Sequence, residues 1–156
     1  MKIMKTGLLI RKTTLVDAGQ TSYIDVGSGD HVVALHGIPT SVFLFIPIMS
    51  FLTDYHFIAP DLLGQGETAV ARVGQLDHAA YTNHLQSFME LIAPSRFHLM
   101  VHDFGASWGL DGPRNILNGS RASLFSQQLS NGAFVGQFLS ELSRYATLLG
   151  ELTLFV

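Results

Sequence analysis

Apolar residues in this chain fall into short continuous runs separated by stretches with helical spacing. Thr21-Ser22-Tyr23-Ile24-Asp25-Val26 alternates well enough for a strand, and Gly27-Ser28-Gly29-Asp30 has turn chemistry. His31-Val32-Val33-Ala34-Leu35-His36 suits a strand covered on both faces, so these two runs together predict a hairpin. Residues from Ser41 to Leu52 are apolar and read as helical after Pro47. Tyr55-His56-Phe57-Ile58-Ala59 is the next strand, ended by Pro60. Asp61 to Ala69 is glycine-rich and turn-like. Between Leu76 and Ile92 the positions Leu76, Ala80, Tyr81, Leu85, Phe88, Leu91 and Ile92 recur at helical spacing, and Pro94 closes that helix. Arg96-Phe97-His98-Leu99-Met100-Val101 is a further strand-like run. Strands thus alternate with helices from His31 to about Gly109, which predicts an α/β fold with parallel strands joined by a crossover.

Beyond Gly109 the pattern weakens. Asp111-Gly112-Pro113 and Asn118-Gly119-Ser120 break any regular element, and Phe134, Val135, Phe138, Leu139, Leu142, Tyr145, Ala146 and Leu149 mark one helix face. The expected division is a core over residues 1–112 and a helical segment over 113–156, read as the start of a cap or lid. The final Leu154-Phe155-Val156 is apolar where a terminus ordinarily frays into solvent, and is expected to be a cut.

Composition changes this picture in one respect. Charged residues make up 13% of the 156, about half the globular average of roughly 25%. So thin a coat of charge predicts exposed apolar surface and a tendency to self-association. A net charge of −3 gives no footprint for nucleic acid or anionic lipid. The absence of cysteine excludes disulfides, a thiol nucleophile and thiolate metal sites. The early run Leu8-Leu9-Ile10 is cut short by Arg11-Lys12, too brief for a signal peptide, and no apolar stretch is long enough to span a bilayer. A cytoplasmic protein is expected, with no nucleic-acid or membrane partner.

Three segments carry candidate chemistry. At Val101-His102-Asp103-Phe104-Gly105 a strand gives way to a helix, where a nucleophile projects from a sharp turn and the helix N-terminus stabilises an anion. Asp103 is read there either as a carboxylate nucleophile or as an ordinary helix N-cap. His36-Gly37-Ile38-Pro39 follows another strand, where a backbone N–H can serve an oxyanion hole or simply belong to a turn. The third segment is Ala59-Pro60-Asp61-Leu62-Leu63-Gly64-Gln65-Gly66-Glu67-Thr68. Other motif readings are weaker. Gly105-Ala106-Ser107-Trp108-Gly109 matches G-x-S-x-G, but Ser107 falls a turn into the predicted helix. Gly64 to Ala69 fits a dinucleotide pattern without the strand and helix it needs. His98 and His102 read as packed or edge residues, and neither cofactor nor metal is expected.

In combination Tyr23-Ile24-Asp25-Val26-Gly27-Ser28-Gly29, His36-Gly37-Ile38-Pro39-Thr40-Ser41, Pro60 to Gly66 and His102-Asp103-Phe104-Gly105 resemble the N-terminal half of the α/β-hydrolase family. The nearer branch is the one with an aspartate nucleophile, the haloalkane dehalogenases and epoxide hydrolases. The resemblance covers residues 15–112. It implies a mostly parallel sheet with flanking helices, truncated after the nucleophile elbow. It implies further that Asp103 attacks a small apolar electrophile, an epoxide or alkyl halide, giving an ester that a histidine-activated water hydrolyses. The backbone N–H groups of Phe104 and Ile38 would form the oxyanion hole, with His36 and His102 in support.

The sequence departs from that family in two ways. Haloalkane dehalogenases typically hold halide with side-chain donors at the places occupied here by Phe104 and Ile38, which have none. That points away from haloalkanes. All seven histidines precede Asp103, so the triad acid and base are unassigned and turnover by this chain alone is not expected. The alternatives are an inactive remnant or interaction module that keeps the sheet, and, third, a serine esterase using Ser107.

Overall fold

The computed structural model describes residues 11–16, 19–70, 76–111, 123–125 and 153–155. Strands β1 (Arg11–Val16), β2 (Gly19–Gly27) and β3 (Asp30–Leu35) come first. A 3-10 turn (Val42–Phe45) leads into α1 (Ile46–Phe51), followed by β4 (Tyr55–Pro60), α2 (His78–Ile92), β5 (His98–Val101) and α3 (Phe104–Asp111). Short strands β6 (Ser123–Phe125) and β7 (Thr153–Phe155) pair in parallel. The expected helix over Phe134 to Leu149 and the Leu8-Leu9-Ile10 run lie outside the described residues.

Five strands form one sheet in the order β1-β2-β4-β3-β5. The β4-β3-β5 part is parallel, while β1-β2 and β2-β4 are antiparallel. The hairpin expected from β2 and β3 does not form. β4 lies between them, and the true hairpin is β1 with β2. Turn chemistry at Gly27 to Asp30 reports only that the chain reverses; it cannot report that a later strand inserts into the gap. The apolar run of β3 reflects this central place, since both of its faces are covered.

Alternate residues of β3, β4 and β5 serve two cores. Val33, Leu35, Ile58, Leu99 and Val101 face α2 and α3, packing on Tyr81, Leu85, Phe88, Met89 and Trp108. Val32, Ala34, Phe57, Ala59 and Met100 face α1, packing on Val42, Phe45, Ile48 and Met49. α2, expected between Leu76 and Ile92, begins at His78 with the Asp77 carboxylate accepting the Ala80 N–H at 2.8 Å. The two layers hold the sheet rigid, so the C-terminal ends of β3, β4 and β5 become fixed mounts for whatever follows them.

Candidate active site

Three loops leave those strand ends: His36-Gly37-Ile38-Pro39 after β3, Asp61 onward after β4, and His102-Asp103 after β5. The last is a tight elbow. His102 N–H donates to Leu35 O at 2.9 Å, Gly105 N–H to His102 O at 3.0 Å, and Ala106 N–H to Asp103 O at 3.0 Å. Asp103 adopts left-handed backbone, φ 52°, which costs a non-glycine residue energy and marks a site held by its surroundings. A side chain at Gly105 would put its Cβ 2.5 Å from both Leu35 O and His36 O, so only glycine lets α3 start this close to β3.

The elbow bears on the two readings of Asp103 through what its carboxylate bonds. An N-cap carboxylate accepts an N–H from its own helix. Here Oδ2 instead accepts the N–H of Ile38, from the loop after β3, at 3.1 Å. Gly37 makes the approach possible, since a Cβ there would lie 2.4 Å from the Asp103 Cβ. Asp103 is exposed. Phe104 opens α3, so its N–H lacks an intrahelical acceptor; among the described residues no bond from it to Asp103 is formed. The side chains of Ile38 and Phe104 are also exposed, at 43% and 53%. Phe104 stacks on Trp108 at 5.5 Å, and Trp108 stacks on Tyr81 at 3.9 Å.

His36 is completely buried behind this surface. Leu62 N–H donates into its Nε2 at 2.9 Å, so the proton sits on Nδ1 and is given to Gly37 O at 2.8 Å. Burial pushes the His36 pKa below 6.5, outweighing the Gly37 carbonyl and Asp61, which pull upward. His102 is half-buried, and burial lowers its pKa too, opposed by the neighbouring Asp103. Its Nδ1 has no partner among the described residues. Ser107 lies exposed within α3, a turn beyond the left-handed residue.

Asp61, which the sequence reading held within its third segment without a role of its own, is a hub. Fully buried, it accepts Val42 N–H at 2.9 Å and Glu67 N–H at 3.0 Å, and pairs with Arg11. Arg11 in turn donates to Ser22 Oγ at 3.0 Å and lies 4.6 Å over the Phe43 ring. An aspartate following a strand and a proline was the available signal. Nothing local pointed to Arg11, which comes from the far edge of the sheet. Among the described residues no group of three or more His, Asp or Glu side chains converges as a metal site would.

Residues 30–110 match the alpha/beta hydrolase fold family. The chain belongs to that family. Over 111 residues this α/β hydrolase is 32% identical to a haloalkane dehalogenase of Sphingobium indicum, which covers 67% of the chain and 37% of that protein. It is 32% identical over 116 residues to a fluoroacetate dehalogenase of a Burkholderia species, covering 67% and 38%. Among solved structures it resembles a haloalkane dehalogenase from Bradyrhizobium elkani, with TM-score 0.63, 23% identity, and coverage of 74% and 40%. An epoxide hydrolase from Vigna radiata gives TM-score 0.64, 20% identity, and coverage of 87% and 46%. The α/β hydrolase thus spans less than half the length of each of these relatives, and to the two solved structures its likeness is one of fold. No helix among the described residues is long and apolar enough to cross a membrane.

Proposed function

We propose that this α/β hydrolase carries the nucleophilic half of an aspartate-nucleophile site, in which Asp103 forms an ester with a small apolar electrophile. The observation that carries this reading is the carboxylate's reach across to Ile38 N–H in place of its own helix. With Oδ2 held there, Oδ1 is the oxygen left to attack. The Oδ1–carbon bond forms as the carbon–oxygen bond of an epoxide, or the carbon–halogen bond of an alkyl halide, breaks. The alkoxide of the opened epoxide takes a proton from solvent; a halide departs as the ion. The ester carbonyl is then Oδ2, placed to become the oxyanion when water adds, with Ile38 N–H and Phe104 N–H as donors. His36 and His102 support the loops and are not assigned as the base. The exposed side chains of Ile38 and Phe104 offer apolar contact and no hydrogen-bond donor to a departing halide or alkoxide, either of which then depends on donors from elsewhere. Hydrolysis of the ester needs a base, and this chain is assigned the alkylation step alone.

The test is intact-mass measurement after incubation with styrene oxide or 1-bromobutane, with peptide mapping of any adduct. One equivalent on Asp103 is expected with at least one of the two, and none in Asp103→Asn. A folded wild-type protein that takes up no adduct overturns the reading. So does labelling of Ser107 by an organophosphate, which would put the nucleophile on the serine.

A further inference from the structure

The N–H that meets Asp103 is half of a peptide unit whose other half is unusually well bonded. Across the trans Gly37–Ile38 peptide the carbonyl and the N–H point in opposite directions. Gly37 O accepts His36 Nδ1–H at 2.8 Å, Thr40 Oγ–H at 2.8 Å and Thr40 N–H at 3.2 Å. The Gln65 carboxamide lies on the same side. Turned so that its nitrogen faces the surrounding carbonyls, it donates to Thr40 O at 3.1 Å and to Gly37 O at 3.3 Å. One carbonyl with two lone pairs thus gathers up to four donors from three residues on two loops.

Resting on the proposed role of Asp103, we propose that Thr40 and Gln65 are positioning residues that aim and polarise the Ile38 N–H from behind. Two effects act together. Rotating the peptide to carry the N–H away from Asp103 would break every bond at Gly37 O, so the donor is held in place before substrate arrives. Donors on the carbonyl also draw charge through the amide, which makes the N–H on its far side a stronger donor. Thr40 spans the loop it closes, bonding by both main chain and hydroxyl. Gln65 ties the loop after β4 to the loop after β3. His36 completes the set through the tautomer fixed by Leu62 N–H. Neither Thr40 nor Gln65 faces the electrophile in this scheme; each acts through the peptide.

The experiment compares Thr40→Val, Thr40→Ser, Gln65→Met and the double variant Thr40→Val/Gln65→Met, using styrene oxide as the probe. After alkylation of Asp103, cleavage of the resulting ester by added hydroxylamine is followed by intact mass, and the Ile38 amide proton by NMR of the labelled full chain. A donor on Oδ2 stabilises the oxyanion formed as hydroxylamine adds to the ester carbonyl, so Thr40→Val is expected to slow that cleavage about tenfold, with Thr40→Ser within about twofold of wild type. Gln65→Met has a smaller effect in the same direction, and the double variant the largest. The Ile38 amide proton moves upfield in step. Folded Thr40→Val and Gln65→Met proteins with wild-type rates and an unmoved Ile38 signal overturn the proposal. So does a Thr40→Ser variant as slow as Thr40→Val, because it keeps the hydroxyl. A wild-type protein that is never alkylated sinks the proposed function, and the Ile38 signal then still decides whether the peptide is polarised as described.

Discussion

Two aspartates stand just past neighbouring strand ends and live in opposite circumstances. Asp61, after β4, is fully buried, and each carboxylate oxygen takes a backbone N–H, with Arg11 on one of them. Asp103, after β5, is exposed and takes one N–H from Ile38. The same side chain at equivalent depths of one sheet is thereby given different work. Saturation ties Asp61 to the 3-10 turn, the loop after β4 and β1 at once, so it organises. Asp103 keeps one oxygen without a bond among the described residues, at a backbone conformation that its surroundings must enforce.

Exchanging charge for neutrality at the two positions breaks the comparison open most widely. Asp61→Asn leaves Arg11 facing a neutral amide, or sets an amide NH2 donor against a backbone N–H that needs an acceptor. Removing one partner of a buried pair in this way costs about 3–5 kcal/mol, a large share of a typical domain's stability. Asp103→Asn is expected to leave stability within about 0.5 kcal/mol, because the site is exposed and asparagine tolerates left-handed backbone. Urea unfolding of both variants measures this. Equal losses at the two positions would mean that Asp103 is as structural as Asp61.

That contrast also marks what the sequence could reveal. Strands β3, β4 and β5 are legible because both faces are covered, and α2 because its apolar stripe has a helical period and Asp77 caps it. β1 is not. Arg11-Lys12-Thr13-Thr14-Leu15-Val16 sits at a sheet edge with much of its surface in water, and its polar run resembles a tail. Asp103 and Ile38 were reached through their places after strands, a property of local order along the chain. Arg11 escaped, and Asp61, Thr40 and Gln65 were named within their motifs without a role of their own: Asp61, Arg11 and Gln65 join segments far apart in sequence, and Thr40 turns back on a carbonyl three residues earlier.

His84 sharpens the comparison from the middle of its range. It is buried, with Nε2 bonded to Thr21 Oγ at 3.1 Å and Nδ1 without a partner among the described residues. Burial lowers its pKa to about 4. Above pH 6.5 the ring is neutral folded and unfolded, and its contribution is complete. As pH falls from 6.5 toward 4 the unfolded chain takes up a proton that the fold refuses, so stability drops by up to about 3 kcal/mol. His84→Gln should flatten part of that acid limb in pH-dependent denaturation. What slope remains belongs to groups such as His36 and His102, both lowered by burial in the same sense. An unchanged limb in His84→Gln would show that the ring is reached by solvent in the folded protein.

The smallest effect is expected at the far end of the sheet, where a third aspartate has partners but little burial. Asp25 bonds Lys12 at 2.6 Å and also meets His56, whose ring stacks on His31 at 4.8 Å. Partial burial works against the Asp25 carboxylate, yet the bonds from His56 and Lys12 prevail and hold its pKa below 3.8. Its contribution is therefore present above pH 3.8 and is lost as pH falls through the lower folded value. Solvent reaches this cluster, and Lys12 stands fully in it, so Asp25→Asn should cost under about 1 kcal/mol and less still at high salt. Thermal unfolding of the variant at low and high ionic strength checks this. A loss comparable to that of Asp61→Asn would mean that the number of partners, and not exclusion from water, sets what a carboxylate contributes here. The distinction between the organising aspartate and the proposed nucleophile would then have to rest on bond count alone.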